Sequence, residues 1–263
     1  MPSSPEAFSL FQALRLDGRT ALVTGSSKGI GQAIALALAE AGANVVINSR
    51  AEDANARQTL AAARAFGVRA TFLPADLAQC GAGRRLGAAA IELAGPLDIV
   101  VSNVAVQLRT PWSEVPPEEF ELQMRTNFQA AFELLQVTVP PMQQRRWGRV
   151  VTIGSVQQAR PNPVMPVYAA SKGAQTTFVK YLARQVSGDG VTVNNLAPGV
   201  VLTERNRAPL ADAAYAEKFL SCIPAGYFAE ASDMAGMALV LCSEAGRYIT
   251  GQDIFVDGGM SLP

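Results

Sequence analysis

Histidine is absent from this chain of 263 residues, and cysteine is rare, with only Cys80, Cys222 and Cys242. The three cysteines are far apart and form no CxxC pair. We therefore expect no metal site, and we expect the thiols to be reduced and packed. Because histidine is the side chain that most often exchanges protons near neutral pH, any proton transfer here has to use another group.

Net charge, long apolar runs and targeting signals are absent as well. Lys plus Arg equals Asp plus Glu at 22 each, which leaves no basic footprint for nucleic acid and no polybasic membrane anchor. No apolar run reaches the ~18 residues of a membrane helix. Residues 1–18 have an early acidic residue and no basic region of the kind that opens a signal peptide. The sequence predicts a cytoplasmic protein whose partner is a small molecule.

The composition indicates one domain over residues 1–263. Hydrophobic residues make up 49% of the chain, enough to bury one large core. Residues 1–17 are interpreted as an N-terminal extension. A segment from about residue 204 to residue 226 has mixed charge and is rich in alanine. It is interpreted as an insertion over the sheet.

Short β-branched runs alternate with stretches rich in alanine and leucine, which predicts a doubly wound α/β fold. A seven-stranded parallel sheet with helices on both faces accounts for this alternation. The predicted strands are RTALVTG, NVVINS, RATFLP, DIVVS, RVVTIGS, VTVNNLAPG and DIFVDGG. The predicted helices cover residues 29–41, 52–66, 79–94, 117–146, 166–187 and 230–243.

A glycine-rich turn, TGSSKGIG, follows the first strand and opens the first helix. Gly25, Gly29 and Gly31 permit a tight turn and a close approach of the backbone to a pyrophosphate, whose charge a helix N-terminus favours. The turn predicts a dinucleotide site, although a glycine-rich turn without a ligand is the alternative.

The end of the second strand indicates which dinucleotide binds. In dinucleotide folds an acidic residue there bonds the ribose 2′-hydroxyl, but this strand ends in Asn48, Ser49 and Arg50. Arg50 can offer its planar guanidinium to a 2′-phosphate, with Lys28 of the glycine turn nearby. The sequence predicts NADP(H) over NAD(H), with NAD(H) still possible.

The segment YAASK places Tyr168 and Lys172 four residues apart, on one face of a helix. A free tyrosine has a pKa of about 10, and a nearby cation would lower it toward neutrality. Ser155 ends the fifth strand, at the sheet edge where such folds bind ligands. These residues predict that Tyr168 acts as a general acid and base. The alternative is that Tyr168 and Lys172 are neighbours on a solvated helix face and that Ser155 is a turn residue.

These motifs, in this order, resemble those of the short-chain dehydrogenase/reductase family along nearly the whole chain. The resemblance implies a Rossmann fold with a catalytic tetrad of Asn127, Ser155, Tyr168 and Lys172, in which Asn127 supports a water linked to the lysine. The predicted cofactor-binding residues are Gly25, Ser27, Lys28, Gly29, Ile30, Gly31, Ser49, Arg50, Asp76, Leu77, Asn103, Val104, Ala105, Tyr168, Lys172, Pro198, Gly199, Val201 and Thr203. Ala105 stands where the family usually has glycine.

The resemblance implies hydride transfer between the nicotinamide and a carbonyl or secondary alcohol of a small ketone, aldehyde, sugar or polyol. The predicted substrate-binding residues are Ser155, Gln157 and Tyr168, within a pocket wall formed by residues 104–110, 156–167 and 204–226. Gln157, Arg205 and Arg207 could bond a polyol or a carboxylate, or they could simply be solvated.

Two alternatives to a small-molecule oxidoreductase stay open. One is a 3-oxoacyl-(acyl-carrier-protein) reductase, which the basic residues 145–149 would suit. The other is a regulator that senses the dinucleotide without turnover. The resemblance also implies a homotetramer or homodimer packed through helices 117–146 and 166–187, with residues 248–263 closing another interface.

Overall fold

Seven parallel strands form one sheet in the order β3-β2-β1-β4-β5-β6-β7. The computed structural model describes residues 9–263 except the side chains of Ala208 and Pro209, so residues 1–8 of the expected N-terminal extension lie outside the described residues. The strands are β1 (Thr20–Val23), β2 (Asn44–Ser49), β3 (Ala70–Pro74), β4 (Ile99–Ser102), β5 (Gly148–Ile153), β6 (Val191–Pro198) and β7 (Asp253–Val256). The predicted seven-stranded, doubly wound fold is confirmed.

Ten α-helices are found among the described residues. They are α1 (Leu10–Ala13), α2 (Gly29–Glu40), α3 (Ala54–Arg64), α4 (Ala82–Ala94), α5 (Pro117–Met124), α6 (Ala130–Gln144), α7 (Pro166–Val186), α8 (Glu204–Leu210), α9 (Ala213–Leu220) and α10 (Ala235–Cys242). Their apolar faces cover the sheet on both sides. Ile34 of α2 and Leu241 of α10 belong to one buried cluster, while Leu86 of α4 and Leu134 of α6 belong to the other.

Strand order reverses at β1, which pairs with β2 on one side and with β4 on the other. The crossover connections leave in opposite directions from this point, so a crevice opens beyond the carboxyl ends of the two strands. The glycine-rich turn follows β1 and residues 103–110 follow β4. The fold therefore directs both predicted segments into the same crevice.

Several helices begin later than the sequence pattern predicts, because a local cap or turn precedes them. The predicted helix 52–66 starts only after Asp53, whose side chain accepts a hydrogen bond from the Ala56 amide at 2.8 Å. The predicted helix 79–94 starts after Gly81, which has a φ of 69°. In the predicted helix 230–243, a 3₁₀ turn over Ala231–Met234 precedes α10.

The long predicted helix 117–146 is interrupted by a π-helical segment, Arg125–Gln129, between α5 and α6. Such segments widen the backbone ladder by one residue and often occur at functional sites. Asn127 is the central residue of the segment. Its buried side chain leaves the helix to bind the backbone of Val106 in the loop after β4.

The segment interpreted as an insertion forms α8 and α9 over the carboxyl edge of the sheet. Asp212 caps α9 by accepting hydrogen bonds from the backbone amides of Ala214 and Tyr215. After α9, Ile223 packs with Val156 in a small buried cluster. Both helices therefore stand beside the end of β5, where Ser155 lies.

Within residues 9–263, no helix combines the length and the apolar character needed to cross a membrane. The cytoplasmic location stays a prediction.

Gly83 tests the packing of α4 against α6. A Cβ built at Gly83 would lie 2.9 Å from the carbonyl carbon of Ala130 and would overlap its oxygen. We expect Gly83→Ala to lower the free energy of unfolding by about 1–3 kcal/mol, because the added methyl group would clash with the backbone of Ala130. Urea denaturation measures this. Gly236→Ala in α10, where nothing lies within 4 Å, is the control and should leave stability unchanged or raise it. Equal effects of the two changes would contradict this packing.

Candidate active site

A cleft of about 930 Å³ lies at the carboxyl edge of the sheet, where β1, β4, β5 and β6 end. It brings together most of the predicted cofactor-binding residues. Those that line it are Gly25, Lys28, Gly29, Ile30, Asn103, Val104, Ala105, Tyr168, Lys172, Pro198, Gly199, Val201 and Thr203. Ser155 lines it too, so the predicted dinucleotide site and the predicted acid and base share one space.

The glycine-rich turn is held tightly against the end of β4. Gly25 and Gly29 have φ angles of 62° and 59°, in the left-handed region that favours glycine. The Asn103 amide donates to the carbonyls of Thr24 and Gly25 at 3.0 and 3.1 Å. A Cβ on Gly31 would lie 2.6 Å from that amide nitrogen, so no side chain fits there. The turn thus presents bare backbone and the N-terminus of α2 to the cleft, which suits a phosphate.

The other predicted cofactor residues lie outside the cleft lining. Ser27 and Gly31 are buried within the turn and Leu77 in the core, whereas Arg50 is exposed after β2. The remaining two are Ser49, whose hydroxyl donates to the Ala51 carbonyl, and Asp76, whose carboxylate accepts from the Ala78 amide. Arg50 and Asp76 follow neighbouring strands at the same sheet edge, and their cofactor contacts stay predictions.

Ser155 and Tyr168 meet over the end of β5. Ser155 is 8% exposed and Tyr168 5% exposed, and both side chains line the cleft. The serine hydroxyl accepts a hydrogen bond from the Gln157 amide at 3.2 Å. Lys172, one turn after Tyr168, is 1% exposed and donates from Nζ to the Ile153 carbonyl at 2.6 Å. Its Nζ lies 5.9 Å from the centre of the Tyr168 ring. Three of the four predicted catalytic residues therefore form one cluster.

Asn127 is linked to this cluster through α7. Its Oδ1 accepts from the Val106 amide at 2.7 Å, and its Nδ2 donates to the Val106 carbonyl at 2.9 Å and to Ser171 Oγ at 3.0 Å. Ser171 in turn donates to the Tyr168 carbonyl at 2.7 Å. The Asn127 side chain is thus committed to protein partners, and it ties the loop after β4 to the helix that carries the tyrosine.

The pKa of Tyr168 differs from the sequence-based expectation. Burial raises the pKa of the phenol, and the groups that oppose this are the Arg205 guanidinium and the Ser155 hydroxyl. Burial, with a smaller contribution from the charge of Arg205, lowers the pKa of Lys172 to about 7. In this arrangement Arg205, rather than Lys172, is the cation acting on the phenol.

Arg205 and its neighbour Glu204 reach the cleft from the first turn of α8. Arg205 Nη2 donates to the Ala105 carbonyl at 2.7 Å, and the Glu204 carboxylate pairs with Lys28. Sequence reasoning raised Arg205 as a substrate ligand and missed Glu204 altogether. No local signal marks either residue, because their partners are far away along the chain. Asn55, in the first turn of α3, also lines the cleft and was missed.

A second cavity of about 60 Å³ adjoins the cleft on the side of α8 and α9. Its lining residues are Gln107, Arg109, Ser155, Val156, Gln157, Met165, Gly199, Val200, Asn206, Leu210, Tyr215 and Phe219. All three predicted wall segments contribute to it. The predicted ligand Gln157 lines it, although its Oε1 already accepts from the Asn162 amide at 2.7 Å. The Arg109 guanidinium faces the Tyr215 ring at 5.4 Å, and sequence reasoning did not single it out.

Across residues 9–263, excluding the side chains of Ala208 and Pro209, no group of three or more histidine, cysteine, aspartate or glutamate side chains is placed to hold a metal ion. The cleft holds the cluster of Ser155, Tyr168 and Lys172. A doubly wound sheet with a glycine-rich turn and this cluster at the point of strand reversal defines a dinucleotide-dependent oxidoreductase.

Comparisons with known proteins identify the family. A family model described as enoyl-(acyl carrier protein) reductase matches residues 25–261. Gluconate 5-dehydrogenase of Gluconobacter oxydans is 35% identical over 262 residues, which cover 99% of each chain. The chain belongs to the short-chain dehydrogenase/reductase family.

Two solved structures share the whole fold. A 3-oxoacyl-(acyl-carrier-protein) reductase of Agrobacterium tumefaciens, crystallised with NADP, superimposes with a TM-score of 0.92 at 39% identity and covers 96% of this chain and 98% of its own. A gluconate 5-dehydrogenase of Burkholderia cenocepacia, in complex with NADP and tartrate, gives 0.91 at 35% identity and covers 97% and 100%. The protein is an oxidoreductase that acts on a CH–OH or C=O group with NAD(P).

Lys172 predicts a pH dependence of stability. Its folded pKa of about 7 lies below the ~10.4 of an unfolded lysine, so burial of the ammonium destabilises the fold fully below pH 7. The penalty, on the order of 5 kcal/mol, shrinks as pH rises from 7 toward 10, where the unfolded chain binds more protons than the folded one. We expect Lys172→Met to stabilise the protein most near pH 6.5 and progressively less toward pH 9.5.

Urea denaturation of both proteins across this pH range measures the difference. Lys180→Met, at an exposed position of the same helix, is the control and should show a flat difference. A difference for Lys172→Met that does not change with pH would contradict the buried, depressed lysine.

Proposed function

We propose that the protein is an NADP(H)-dependent oxidoreductase that interconverts a ketone and a secondary alcohol on a small hydroxy carboxylic acid. The observation that carries the substrate class is Arg109, a cation on the wall of the small cavity that opens onto Ser155. The end of β2, which lacks a carboxylate, supports the cofactor preference.

The residues of the cleft fit a 2′-phosphorylated dinucleotide. The turn from Gly25 to Gly31 leaves a cradle that a Cβ would fill: one at Gly25 would lie 2.9 Å from Val104 Cγ2. The Asn48 side chain accepts from the Gly25 amide and donates to the Leu73 carbonyl, so it is not free to bond a ribose hydroxyl. Lys28 of the glycine-rich turn and Arg50, directly after β2, would bind the 2′-phosphate.

At the reactive end, the nicotinamide supplies or accepts the hydride when the cofactor is bound. Tyr168 donates its phenol proton to the substrate oxygen in reduction and removes a proton from the hydroxyl in oxidation. Ser155 donates a hydrogen bond to the same oxygen as charge develops on it. Lys172, whose pKa lies at about 7, can both give and take a proton near neutral pH. It would reprotonate Tyr168, with Asn127 holding the loop and α7 together.

The second cavity suits an anionic, hydroxylated substrate. Among the described side chains, Arg109 makes no ion pair with a carboxylate, and its guanidinium packs toward Tyr215. The amides of Gln107, Gln157 and Asn206 surround the same space and can bond hydroxyl groups. A carboxylate on Arg109 would place the rest of a short substrate toward Ser155. The gluconate 5-dehydrogenases named above, one of them in complex with tartrate, support this choice.

The basic segment 145–149 gives little support to a carrier-protein substrate. Arg149 is 2% exposed and pairs with Glu244, Arg145 pairs with Asp98, and Arg146 pairs with Asp189. The segment leads into the amino end of β5, and a six-residue strand places it about 20 Å from the end that carries Ser155. These arginines therefore stand at the opposite edge of the sheet from the cleft.

The oligomer proposed here is a homodimer or homotetramer packed through the helices named in the sequence analysis. In support, the rings of Phe128, Phe132 and Phe178 cluster between the π-helical segment, α6 and α7 without being fully buried. Tyr181 of α7 is exposed as well, and Tyr248 in the C-terminal segment is 99% exposed.

The cofactor preference predicts unequal effects on NADPH and NADH. Lys28→Ala and Arg50→Ala should each weaken NADPH binding about three- to thirtyfold, because each removes a partly solvated contact with the 2′-phosphate. NADH binding should change less than about twofold, and titration of the coenzyme fluorescence measures both. Arg57→Ala, an exposed arginine on α3, is the matched control. Equal losses for NADPH and NADH would count against the assignment.

The substrate class is tested with steady-state kinetics on keto acids of sugar type, neutral ketoses and 3-oxoacyl thioesters. Arg109→Gln should raise KM for a keto acid about 10- to 100-fold, since a charge-assisted hydrogen bond is lost, and leave a neutral ketose unaffected. Arg247→Gln, outside both cavities, is the control. Tyr168→Phe should lower kcat at least about 100-fold.

Preferential turnover of 3-oxoacyl thioesters that is indifferent to Arg109 would replace the proposed substrate with the carrier-linked one. Tight NADPH binding without turnover of any tested compound would instead favour the dinucleotide sensor.

A further inference from the structure

We propose that the first turn of α8 competes with the dinucleotide for its cleft, and that Glu204 thereby limits the selectivity for the 2′-phosphate. Glu204 and Arg205 are consecutive residues with opposite charges. Glu204 contacts Lys28 at one end of the predicted cofactor site, and Arg205 contacts the Ala105 carbonyl at the other. The inference rests on the proposed NADP(H) dependence.

Glu204 forms an ion pair with Lys28, the cation at the end of the cleft where the phosphate is expected. Its carboxylate pairs with the Lys28 ammonium, which lowers the pKa of the carboxyl group and keeps it ionised. Both side chains are exposed, so the pair is weak enough to break. A phosphate arriving at Lys28 meets a carboxylate already in place, and it has to displace that carboxylate against like-charge repulsion.

Arg205 occupies the reactive end. Its guanidinium donates to the Ala105 carbonyl at 2.7 Å and lines the same cleft as Tyr168, where its charge opposes the rise in the pKa of the phenol. It also raises the local positive charge enough to contribute to the lowered pKa of Lys172. A nicotinamide that approaches Tyr168 and Lys172 has to remove this side chain, and an oxidised nicotinamide carries a positive charge of its own.

The two contacts are coupled through a short helix. Neighbouring residues of a helix point about 100° apart, so one turn can direct one side chain to each end of the cleft. An anion at Lys28 followed by a cation at Tyr168 reproduces the charge order of an oxidised, 2′-phosphorylated dinucleotide. The amide of Thr203, which precedes α8, donates to the Val201 carbonyl, and so does the Asn206 side chain. Displacement therefore moves the turn about this anchored point.

Three probes separate the two ends in binding measurements. Adenosine 2′,5′-bisphosphate carries the 2′-phosphate and no nicotinamide, NADH carries the nicotinamide and no 2′-phosphate, and NADPH carries both. Glu204→Gln should tighten the bisphosphate and NADPH about two- to tenfold, with NADH changed less than twofold. Arg205→Met should tighten NADPH and NADH to the same extent and leave the bisphosphate unchanged. Isothermal titration calorimetry reports all three affinities without turnover.

Two controls make the experiment specific. In a Lys28→Ala background, Glu204→Gln should give no further gain, because the residue it competes for is gone. Glu217→Gln removes an exposed carboxylate from α9 and should change no affinity. The gain from Glu204→Gln should also shrink as salt rises from ~0.05 to ~0.5 M, since the pair is solvent-exposed.

Unchanged or weaker bisphosphate binding by Glu204→Gln, or weaker NADH binding by Arg205→Met, would overturn the inference. If Lys28→Ala still weakens NADPH selectively, the proposed cofactor preference survives and only the competition fails. If Lys28→Ala has no selective effect, both fail together.

Discussion

One buried hydrogen bond joins the parts of the site, and the rest of its geometry depends on it. Lys172 Nζ reaches from α7 to the Ile153 carbonyl at the end of β5. Ser155 follows Ile153 by two residues, and Tyr168 precedes Lys172 by one turn. The bond therefore determines how far apart the serine hydroxyl and the phenol lie. The burial that makes this bond strong also lowers the pKa of Lys172 to about 7, which is what a group that exchanges protons near neutrality requires.

A network of polar side chains lies next to the end of β5 and the turn that begins at Ser155. Thr152 and Gln175 donate to Asn195 Oδ1 at 2.7 and 3.1 Å, and Asn195 Nδ2 donates to Asp253 at 2.7 Å. Gln158, in the turn that begins at Ser155, donates to the other oxygen of Asp253 at 2.5 Å. The network links β5, β6, β7 and α7 through satisfied hydrogen bonds, so the serine sits on a rigid base.

The sequence was informative where one physical pattern determines the structure. Buried parallel strands need apolar runs such as IVV, and a bare-backbone turn needs glycine, so the sheet and the cleft were predictable. The spacing of Tyr168 and Lys172 was sufficient because a helix places such residues on one face. The contacts of Glu204 and Arg205 were not predictable, since Lys28 lies 176 residues away and Ala105 lies 100 residues away. The raised pKa of Tyr168 was missed because burial, which outweighs charge there, is a tertiary property.

The two walls of the second cavity differ in how they are held. The loop after β4, which carries Arg109, is pinned by Asn127 at both backbone groups of Val106 and through Ser171 to the helix that carries Tyr168. The opposite wall includes α9, none of whose residues is buried. Natural or laboratory diversification of substrate range should therefore accumulate in α9. In α9, new side chains can be introduced without moving the phenol, whereas changes in the pinned loop are transmitted to Tyr168 through Asn127 and Ser171.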